Sequence, residues 1–459
     1  MEPDPTAQTV VFRDLLDRPV TTAFDLPHSS SDGGGILLRA ADQQLGLIRE
    51  FSQCLVERRE PGKVAHGLEE LVMQRVFGMA CGYADANDAA RLKEDPVHRL
   101  LVGIDPRTGN TLASQPTLSR FENGVNSREL YWLGWTLGEV VIDRHRKRVR
   151  KSCRRVTVDL DVTDDPAHGN QQFTMFNGFY DANCYLPLLG FLRFDDEPDQ
   201  FLFTSVLRPG NAPTQRGVLG VLGRVLPLLR DAFPKARILV RLDGGFACSE
   251  LFDHLDAEPR VDYIVGMAKN ERLLRISASA MKKVKSKARD SQESERIYGE
   301  GRYQARKWSQ ERRILYKAEI VHFEGRPPKE NPRFVVTNMK QSPRFLYEKV
   351  YCYRGEIENR IKELHYGVDI GRTSCHRFLA NQFRVFLTAA AYVLLQEIRL
   401  AARGTSLERA QASTIRERLL KVGAIVTGSV RRVLFRLPDT FPFRSEWLRV
   451  ATTLGASTG

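Results

Sequence analysis

"RRVTVDLDVTDD", residues 154–165, marks the point where a mainly helical pattern gives way to a strand-like one. Apolar and polar residues alternate through it, as they do in a half-buried β-strand. The apolar face would carry Val156, Val158, Leu160 and Val162, and the polar face Thr157, Asp159 and Asp161. The stretch therefore predicts a strand that ends in acidic side chains.

Strand-like segments continue downstream of this one. They lie at residues 171–181, 185–194, 236–243 and 261–268, with a helix predicted at about 215–232. Strands followed by alternating strands and helices indicate an α/β domain with a mixed sheet. From about 295 to 340 the pattern is again strongly β, which predicts a β subdomain inserted at about 270–342.

The segment before residue 150 is mainly helical. Apolar spacings of three and four residues predict helices from residue 36 onward, whereas residues 1–35, ending in the turn-rich "HSSSDGGG", are predicted to be a flexible N-terminus. "SQPTLSRFENG", residues 114–124, would form a short helix exposing Arg120 to DNA, although a plain capped helix in a bundle has the same pattern. We interpret residues 36–150 as a helical DNA-binding domain.

Two runs of basic residues could either contact DNA phosphates or be solvated segments. "RHRKRVRKSCRR" occupies residues 144–155, and "KKVKSKARD" occupies residues 282–290 within a polar, loop-like stretch. Beyond residue 403 a helix and two strand-like segments are predicted, so residues 403–459 form a C-terminal helix and β-hairpin region.

Composition narrows the class of protein. The 459 residues carry a formal net charge of +13, which favours a polyanionic partner such as nucleic acid, although many soluble proteins are simply basic. Seven cysteines without a C-x-x-C pair indicate reduced thiols in a cytoplasmic protein. The apolar run at 385–395 is too short to span a bilayer, so a buried helix and no membrane association are expected.

Three carboxylates in separate segments suit a site for hard cations. Asp161 ends one strand, Asp243 ends the strand "ILVRLDGGF", and Glu358 lies in the charged helix "YCYRGEIENRIKELH", residues 351–365. Their acceptor-only oxygens suit Mg²⁺ or Mn²⁺, and two such ions can drive phosphodiester cleavage. Taken singly, each Asp could cap a turn, and Glu358 could pair with Arg354 or Lys362 on its helix.

Taken together, four stretches resemble the DDE transposases of bacterial insertion sequences, most closely the insertion-sequence 1380 family (transposase DDE domain group 1). They are "SQPTLSRFEN" at 114–123, "VDLDVTDDPAHGNQ" at 158–171, "VRLDGGFACSEL" at 240–251 and "YCYRGEIENRIKEL" at 351–364. The resemblance spans most of the chain.

The resemblance selects particular residues. The superfamily signature Y-x2-R-x3-E-x6-K is matched by Tyr351, Arg354 and Glu358, while His365 stands in place of the Lys and Lys362 lies one turn away. The family form Asp-x-Thr selects Asp161, with Asp159 as the alternative first carboxylate.

The resemblance also implies a fold and a function. The fold would be a ribonuclease H-like catalytic core, residues 151–402, with the β insertion between Asp243 and Glu358. The function would be cut-and-paste transposition at terminal inverted repeats, with Mg²⁺, or Mn²⁺ as a substitute, and a homodimer on double-stranded DNA. The protein would be bacterial and cytoplasmic, and nucleoid-associated when acting on DNA.

Roles for other side chains follow from the same resemblance. Arg354 and Tyr351 would hold the DNA backbone near the cleaved bond, although Arg354 could simply pair with Glu358. Trp308 would stack on a flipped base, although a Trp in a β subdomain is more often a core residue. A turn-forming role suits His168 better than a role as general base. A nuclease without strand transfer and a DNA-binding protein that has lost its chemistry are the alternative functions.

Overall fold

Nine strands of the described residues form a mixed β-sheet at the centre of the protein. The computed structural model describes residues 9–106, 110–149, 153–429 and 431–457. The chain from β4 to β11 supplies the first part of this sheet and a small second sheet, with helices between the later strands. These elements are β4 (Arg155–Val162), β5 (Asp165–Pro166), β6 (Met175–Asn177), β7 (Ala182–Tyr185), β8 (Leu188–Phe194), β9 (Phe201–Val206), α8 (Val218–Ala232), β10 (Arg237–Leu242), α9 (Ser249–Ala257) and β11 (Val261–Met267). The predicted α/β class with a mixed sheet is confirmed.

The sheet has a meander on one side and parallel strands on the other. Its order begins β9-β8-β4-β10-β11, and β8 is antiparallel to both β4 and β9. Both β10 and β11 run parallel to β4. The small strands β5, β6 and β7 form a separate sheet next to β4 in the chain. Since β4 lies between β8 and β10 in the interior, its residues 156–161 are buried on both faces, so the half-buried prediction is wrong.

The predicted β insertion is an extension of this sheet. It consists of α10 (Glu271–Ser291), β12 (Glu295–Tyr303), β13 (Arg312–Phe323), β14 (Arg326–Glu330) and β15 (Arg333–Thr337). Because β15 pairs with β11, the new strands continue the central sheet in the order β15-β13-β12, with β14 on β13. The residues of the predicted β insertion thus form part of the central sheet.

The basic run at 282–290 lies in α10, and the prediction of a loop there is wrong. Apolar side chains at helical spacing, including Met281, Val284 and Ala288, are buried against Ala318 and Ile320 of β13. The lysines between them are exposed. Many charges concealed a narrow apolar stripe that is sufficient to hold a helix on a sheet.

The N-terminal segment is helical, as its apolar spacing predicts. Its elements are β1 (Val10–Phe12), β2 (Val20–Thr22), β3 (Ser29–Ser30), α1 (Ile36–Leu45), α2 (Leu47–Gln53), α3 (Leu68–Ala80), α4 (Ala86–Arg91), α5 (Pro96–Leu101), α6 (Gln115–Asn123) and α7 (Ser127–Val149). The helix α7 packs on β9, and one hydrophobic cluster extends from Leu37 to Leu454. The predicted boundary at 150, and part of the basic run at 144–155, lie outside the described residues.

The C-terminal third returns the chain to the sheet through a long helical run. It comprises α11 (Pro343–Phe345), a π-helical turn (Leu346–Tyr351), a 3₁₀ turn (Cys352–Gly355), α12 (Glu356–Val368), α13 (Phe378–Ala401), α14 (Ala412–Ile415), a second π-helical turn (Arg416–Leu420), β16 (Ala424–Gly428), β17 (Val433–Arg436) and α15 (Arg444–Thr453). Among the described helices, α13 is long and apolar enough to cross a membrane, but 89% of its most apolar window is buried inside the protein. The predicted buried helix is confirmed.

The turn-rich "HSSSDGGG" is a packed segment, contrary to the flexible N-terminus predicted for residues 1–35. Its strand β3 pairs with β16, and residues 32–35 are buried. A Cβ at Gly34 would lie 1.7 Å from the Leu419 carbonyl oxygen, so only glycine allows the two backbones to approach. Residues 1–8 lie outside the described part of the chain.

A buried ion pair connects the strands at the centre of the sheet. The Arg241 guanidinium donates to both Asp159 oxygens at 2.7 Å and to the Val350 carbonyl at 3.0 Å. The Gln200 amide donates to the same carboxylate at 2.8 Å. The Asp159 side chain is fully buried, and both of its oxygens are paired. We therefore interpret Asp159 as a structural residue of β4.

We expect Asp159→Ala to lower the free energy of unfolding by about 3–5 kcal/mol, because it leaves a buried guanidinium unpaired. Arg237→Ala is the matched control on β10, the strand of Arg241, since the Arg237 side chain is 59% exposed and pairs with Asp262 at the surface. That variant should lose less than about 1 kcal/mol. Denaturant titration of both variants measures the difference, and equal losses would contradict a structural role for the buried pair.

Candidate active site

Two of the predicted carboxylates lie side by side at one edge of the sheet. In the parallel pair of β4 and β10, Asp159 is opposite Arg241, and Asp161 and Asp243 each lie two residues further along. Side chains alternate along a strand, so both carboxylates share the face of that ion pair. Asp243 ends its strand by accepting a hydrogen bond from the Gly245 amide at 2.9 Å.

Burial makes the carboxyl of Asp161 a weaker acid than an ordinary aspartate. Its carboxyl accepts a hydrogen bond from the Val162 amide at 2.9 Å and is otherwise largely removed from water. Burial raises the pKa of Asp161 to about 6; the charge of Asp243 acts in the same direction, and Arg354 opposes both. A cation bound beside Asp161 would favour the ionised form of this buried carboxyl.

Arg354 lies between Asp161 and the third carboxylate. Its Nη1 donates to Asp161 Oδ2 at 2.7 Å, while its Nη2 is 3.9 Å from Glu358 Oε1. The pairing with Glu358 considered from the sequence is thus the looser of two contacts. The side chain of Glu358 is 59% exposed and that of Arg354 is 17% exposed. The glutamate is therefore free to bind a ligand from solvent.

Tyr351 packs against the turn that carries Asp243. A Cβ at Gly266 of β11 would lie 2.5 Å from the Tyr351 hydroxyl and 2.8 Å from the Gly244 amide nitrogen. Glycine at that position allows helix and turn to approach the strand closely. Burial raises the pKa of Tyr351, with Asp243 adding to the effect and Arg354 opposing it, so the phenol stays protonated.

A cleft of about 460 Å³ joins the end of β4 to α12. Its polar lining comprises Asp161, Thr163, Asp164, Glu358, Lys362 and His365. Lys362 is exposed. His365 Nε2 is 3.1 Å from Thr163 Oγ1, and burial lowers the pKa of the imidazole. His365 is therefore neutral at neutral pH and does not supply the positive charge of the Lys it replaces.

The other predicted site residues lie elsewhere. Arg120 is exposed on α6, in a separate pocket that also contains Arg58, Arg59 and Lys63. Trp308 is only 8% exposed and packs on Phe252 and Tyr303. Because neither ring face is open to a base, the stacking role predicted for Trp308 is corrected to a core role.

One buried carboxyl near the cleft has no counterpart in the predictions. Asp165 is fully buried and accepts a hydrogen bond from Thr373 Oγ1 at 2.9 Å. Burial raises its pKa to about 7, with Asp164 adding to the effect and Thr373 opposing it. The sequence "DVTDDP" shows a row of acids but not which of them faces the interior.

A second group of possible metal ligands was also missed. Asp32, Cys81 and His98 are buried, with their ligand atoms within 4.8 Å of one another, and among the described residues this is the only such set of three. Lys421 Nζ lies 2.7 Å from Asp32 Oδ1, and His98 Nε2 lies 2.9 Å from Oδ2. Burial raises the pKa of the Cys81 thiol. An ammonium already occupies the position of a cation, so we interpret this group as a buried charge network.

Comparisons with known proteins place these residues in a family. The sequence profile described as transposase DDE domain group 1 matches residues 12–458. No curated protein matches the chain. Among solved structures, the chain is similar to a piggyBac transposase in a synaptic complex with hairpin DNA, at 10% identity and a TM-score of 0.42. The match covers 84% of this chain and 79% of that one.

We expect Asp165→Asn to stabilise the protein more at pH 8 than at pH 5. The folded carboxyl stays protonated up to about pH 7, whereas an unfolded Asp ionises near pH 4. The free energy of unfolding of the wild type therefore falls by up to about 1.4 kcal/mol for each pH unit between these two pKa values. Asparagine cannot ionise and keeps an acceptor for Thr373. Denaturant titrations at both pH values measure the effect, with Asp181→Asn as an exposed control. An equal change at both pH values would contradict the buried neutral acid.

Proposed function

Because the chain belongs to the transposase DDE domain group 1 family, we propose that it is a DNA transposase of the insertion-sequence 1380 type. It cuts both ends of an insertion sequence at terminal inverted repeats and joins them to a target by transesterification. The observation that carries the proposal is that Arg354 donates to Asp161 and lies 3.9 Å from Glu358, while Asp243 follows the strand that pairs in parallel with the strand of Asp161.

The strand order supports a ribonuclease H-like core over residues 151–402. Three antiparallel strands, β4, β8 and β9, are followed by two parallel strands on the other side of β4. The segment at about 270–342 interrupts that core between Asp243 and Glu358. Residues 36–150 are the proposed DNA-binding domain, and residues 403–459 the C-terminal region.

The donors suit a divalent cation with oxygen ligands. Asp161, Asp243 and Glu358 would hold Mg²⁺, or Mn²⁺ in its place, because carboxylate oxygens are the ligands these ions prefer. When bound, such ions polarise the scissile phosphodiester and activate the attacking water or 3′-hydroxyl. The carboxylates therefore attract a phosphate through the cation instead of repelling it.

Arg354 would change partners when DNA binds. Its planar guanidinium occupies Asp161 Oδ2 in this structure, and the same fork suits a phosphate. Moving onto the DNA backbone would free that oxygen for a cation. Lys362, exposed at the cleft, would supply the phosphate contact that neutral His365 does not make. His365 instead holds α12 to the Asp161-x-Thr163 segment.

In the pocket around Arg120, the cations Arg58, Arg59 and Lys63 each pair with a glutamate. Positive charge for binding double-stranded DNA is available on α10, where the lysines of 282–290 are exposed. Phosphate contacts of this kind give affinity without sequence selectivity. A homodimer would pair the two ends of the element, and the protein would act in the bacterial cytoplasm on the nucleoid, without a membrane.

We expect Asp161→Asn, Asp243→Asn and Glu358→Gln each to reduce Mg²⁺-dependent cleavage at least about a hundredfold, because each removes a charged ligand worth several kcal/mol in the transition state. Binding of the DNA should persist. The substrate is a labelled duplex carrying the inverted repeat that flanks the gene. Glu356→Gln is the matched control, since Glu356 is also exposed on α12.

The same assay separates the alternatives. Cleavage that survives the loss of Glu358, or that fails equally in Glu356→Gln, would contradict the assignment of the three carboxylates. Cleavage without joining of ends would identify a nuclease. Binding by the wild type without cleavage at any Mg²⁺ or Mn²⁺ concentration would identify a DNA-binding protein that has lost its chemistry.

A further inference from the structure

One buried carboxyl behind the cleft has no part in the reaction proposed above. Asp165 is fully buried and lies between Asp164 and Pro166, which both line the cleft. Its Oδ2 accepts a hydrogen bond from Thr373 Oγ1 at 2.9 Å, whereas its Oδ1 is buried and has no hydrogen-bond partner among the described residues. Leaving a buried polar oxygen unpaired costs free energy, so folded proteins normally place a partner beside it.

Gly371 shows what faces this oxygen. A Cβ at Gly371 would lie 3.2 Å from Asp165 Oδ1 and 3.6 Å from His365 Nδ1. The two atoms therefore converge on one position, which glycine leaves open because it has no side chain. The Gly371 backbone is fixed there, since its carbonyl accepts a hydrogen bond from His168 Nε2 at 3.0 Å. A direct hydrogen bond, or one water between the two atoms, can connect the carboxyl to the ring.

The contacts of His365 determine which of its nitrogens carries the hydrogen. His365 Nε2 lies 3.1 Å from Thr163 Oγ1, and this hydroxyl donates its only hydrogen to the Asp164 carbonyl at 3.5 Å. The hydroxyl is therefore the acceptor from the ring, and Nε2 carries the hydrogen of the neutral imidazole. Nδ1 is then an acceptor that faces the Gly371 position. A protonated Asp165 can donate to it through Oδ1.

Burial favours the neutral form of both groups in the protein without DNA. It raises the pKa of Asp165 to about 7 and lowers the pKa of His365 below its ordinary value. The charge of Asp164 acts on both groups and raises the pKa of each, while Lys362 and Tyr366 are further titratable side chains of α12 at the cleft. Because the carboxyl and the imidazole hold a proton with similar strength, a nearby charge decides which of them keeps it.

We propose that Asp165 passes its proton to His365 when a DNA phosphate enters the cleft. The Oδ1–H bond breaks and an Nδ1–H bond forms, so the neutral pair becomes a carboxylate and an imidazolium without taking a proton from solvent. The imidazolium Nε2–H then donates to a phosphate oxygen, because the negative phosphate favours the charged ring. His365 thus carries positive charge only when DNA is bound, beside the permanent charge of Lys362. This role rests on the transposase function argued above.

Asp165→Asn tests the transfer because its amide keeps the hydrogen bonds but cannot give up a proton. The amide nitrogen donates to His365 Nδ1, and the amide oxygen accepts from Thr373. The parent protein carries Glu358→Gln, so that Mg²⁺ and DNA bind without cleavage. We expect Asp165→Asn to bind a duplex with the element's end about tenfold more weakly than the parent at pH 7, because a charged donor to the phosphate is lost. Fluorescence anisotropy gives the affinities.

His365→Lys supplies a charge that does not depend on Asp165. Added to Asp165→Asn, it should restore the affinity of the parent. The salt dependence should follow the same pattern. With Asp165→Asn alone, the slope of log affinity against log salt should become shallower by about 0.9, the value for one phosphate contact, and His365→Lys should restore it.

The charge of the ring is measured directly by NMR of protein labelled with ¹³C-histidine, in which the Cε1–H signal reports protonation. The signal of His365 is identified by its loss in His365→Gln. We expect the ring to be neutral in the parent alone, charged in the DNA complex of the parent, and neutral in both states of Asp165→Asn. This measurement does not depend on the folding of His365→Lys.

Asp369→Asn is the matched control, since Asp369 is an exposed acid directly after α12. It should bind DNA at least as tightly as the parent. A ring that stays neutral in the DNA complex, or an Asp165→Asn variant that binds as the parent does, overturns this inference alone. Weaker binding that His365→Lys does not restore, with the ring still charged in the complex, identifies a structural role for Asp165 and also overturns the transfer. A wild type that neither binds nor cuts DNA overturns the proposed function as well.

Discussion

The parallel pairing of β4 and β10 is the constraint on which the site depends. Because both strands end at the same edge of the sheet, Asp161 and Asp243 become neighbours although 81 residues separate them in the sequence. The buried pair of Asp159 and Arg241 lies two residues before them and fixes the register. A shift of one residue in either strand would turn the carboxylate of that strand to the opposite face.

Arg241 also contacts the segment that leads to the third proposed carboxylate, Glu358. Arg241 also donates to the Val350 carbonyl, in the π-helical turn that leads into Tyr351 and Arg354. The helical segment that begins at Leu346 is therefore hydrogen-bonded to strand β10 at Val350. Glu358 follows one turn after Arg354 and reaches the cleft from the side. The buried pair of Asp159 and Arg241 is thus also connected to the segment that carries the proposed site residues Tyr351 and Arg354.

Much of the fold could be predicted from the sequence because apolar patterns indicate buried strands and helices. The strands around Asp161 and Asp243 and the buried helix α13 were identified in that way. Errors occurred where composition conceals packing. The lysines of α10 hid its apolar stripe, and the glycines at 33–35 suggested a loose turn although they allow close contact with Leu419. Patterns within one segment do not show what another segment will cover.

For the candidate site, the sequence identified candidate residues but not their contacts or their burial. Motifs selected Asp161 over Asp159, and the buried ion pair of Asp159 provides an independent physical reason for that choice. The sequence did not show that Arg354 contacts Asp161 more closely than Glu358, since this contact crosses 193 positions. Nor did it show the burial of Trp308 and Asp165. These properties arise only when separate segments pack together.

The central claim is that Asp161, Asp243 and Glu358 hold divalent cations against DNA. The most direct measurement is the anomalous scattering of Mn²⁺ in crystals of the protein bound to a duplex carrying its terminal repeat. We expect Mn²⁺ between these three carboxylates, with Arg354 moved from Asp161 onto a DNA phosphate. Manganese bound only at Asp32, Cys81 and His98, or an Arg354 that stays on Asp161 with no metal beside it, would contradict the account.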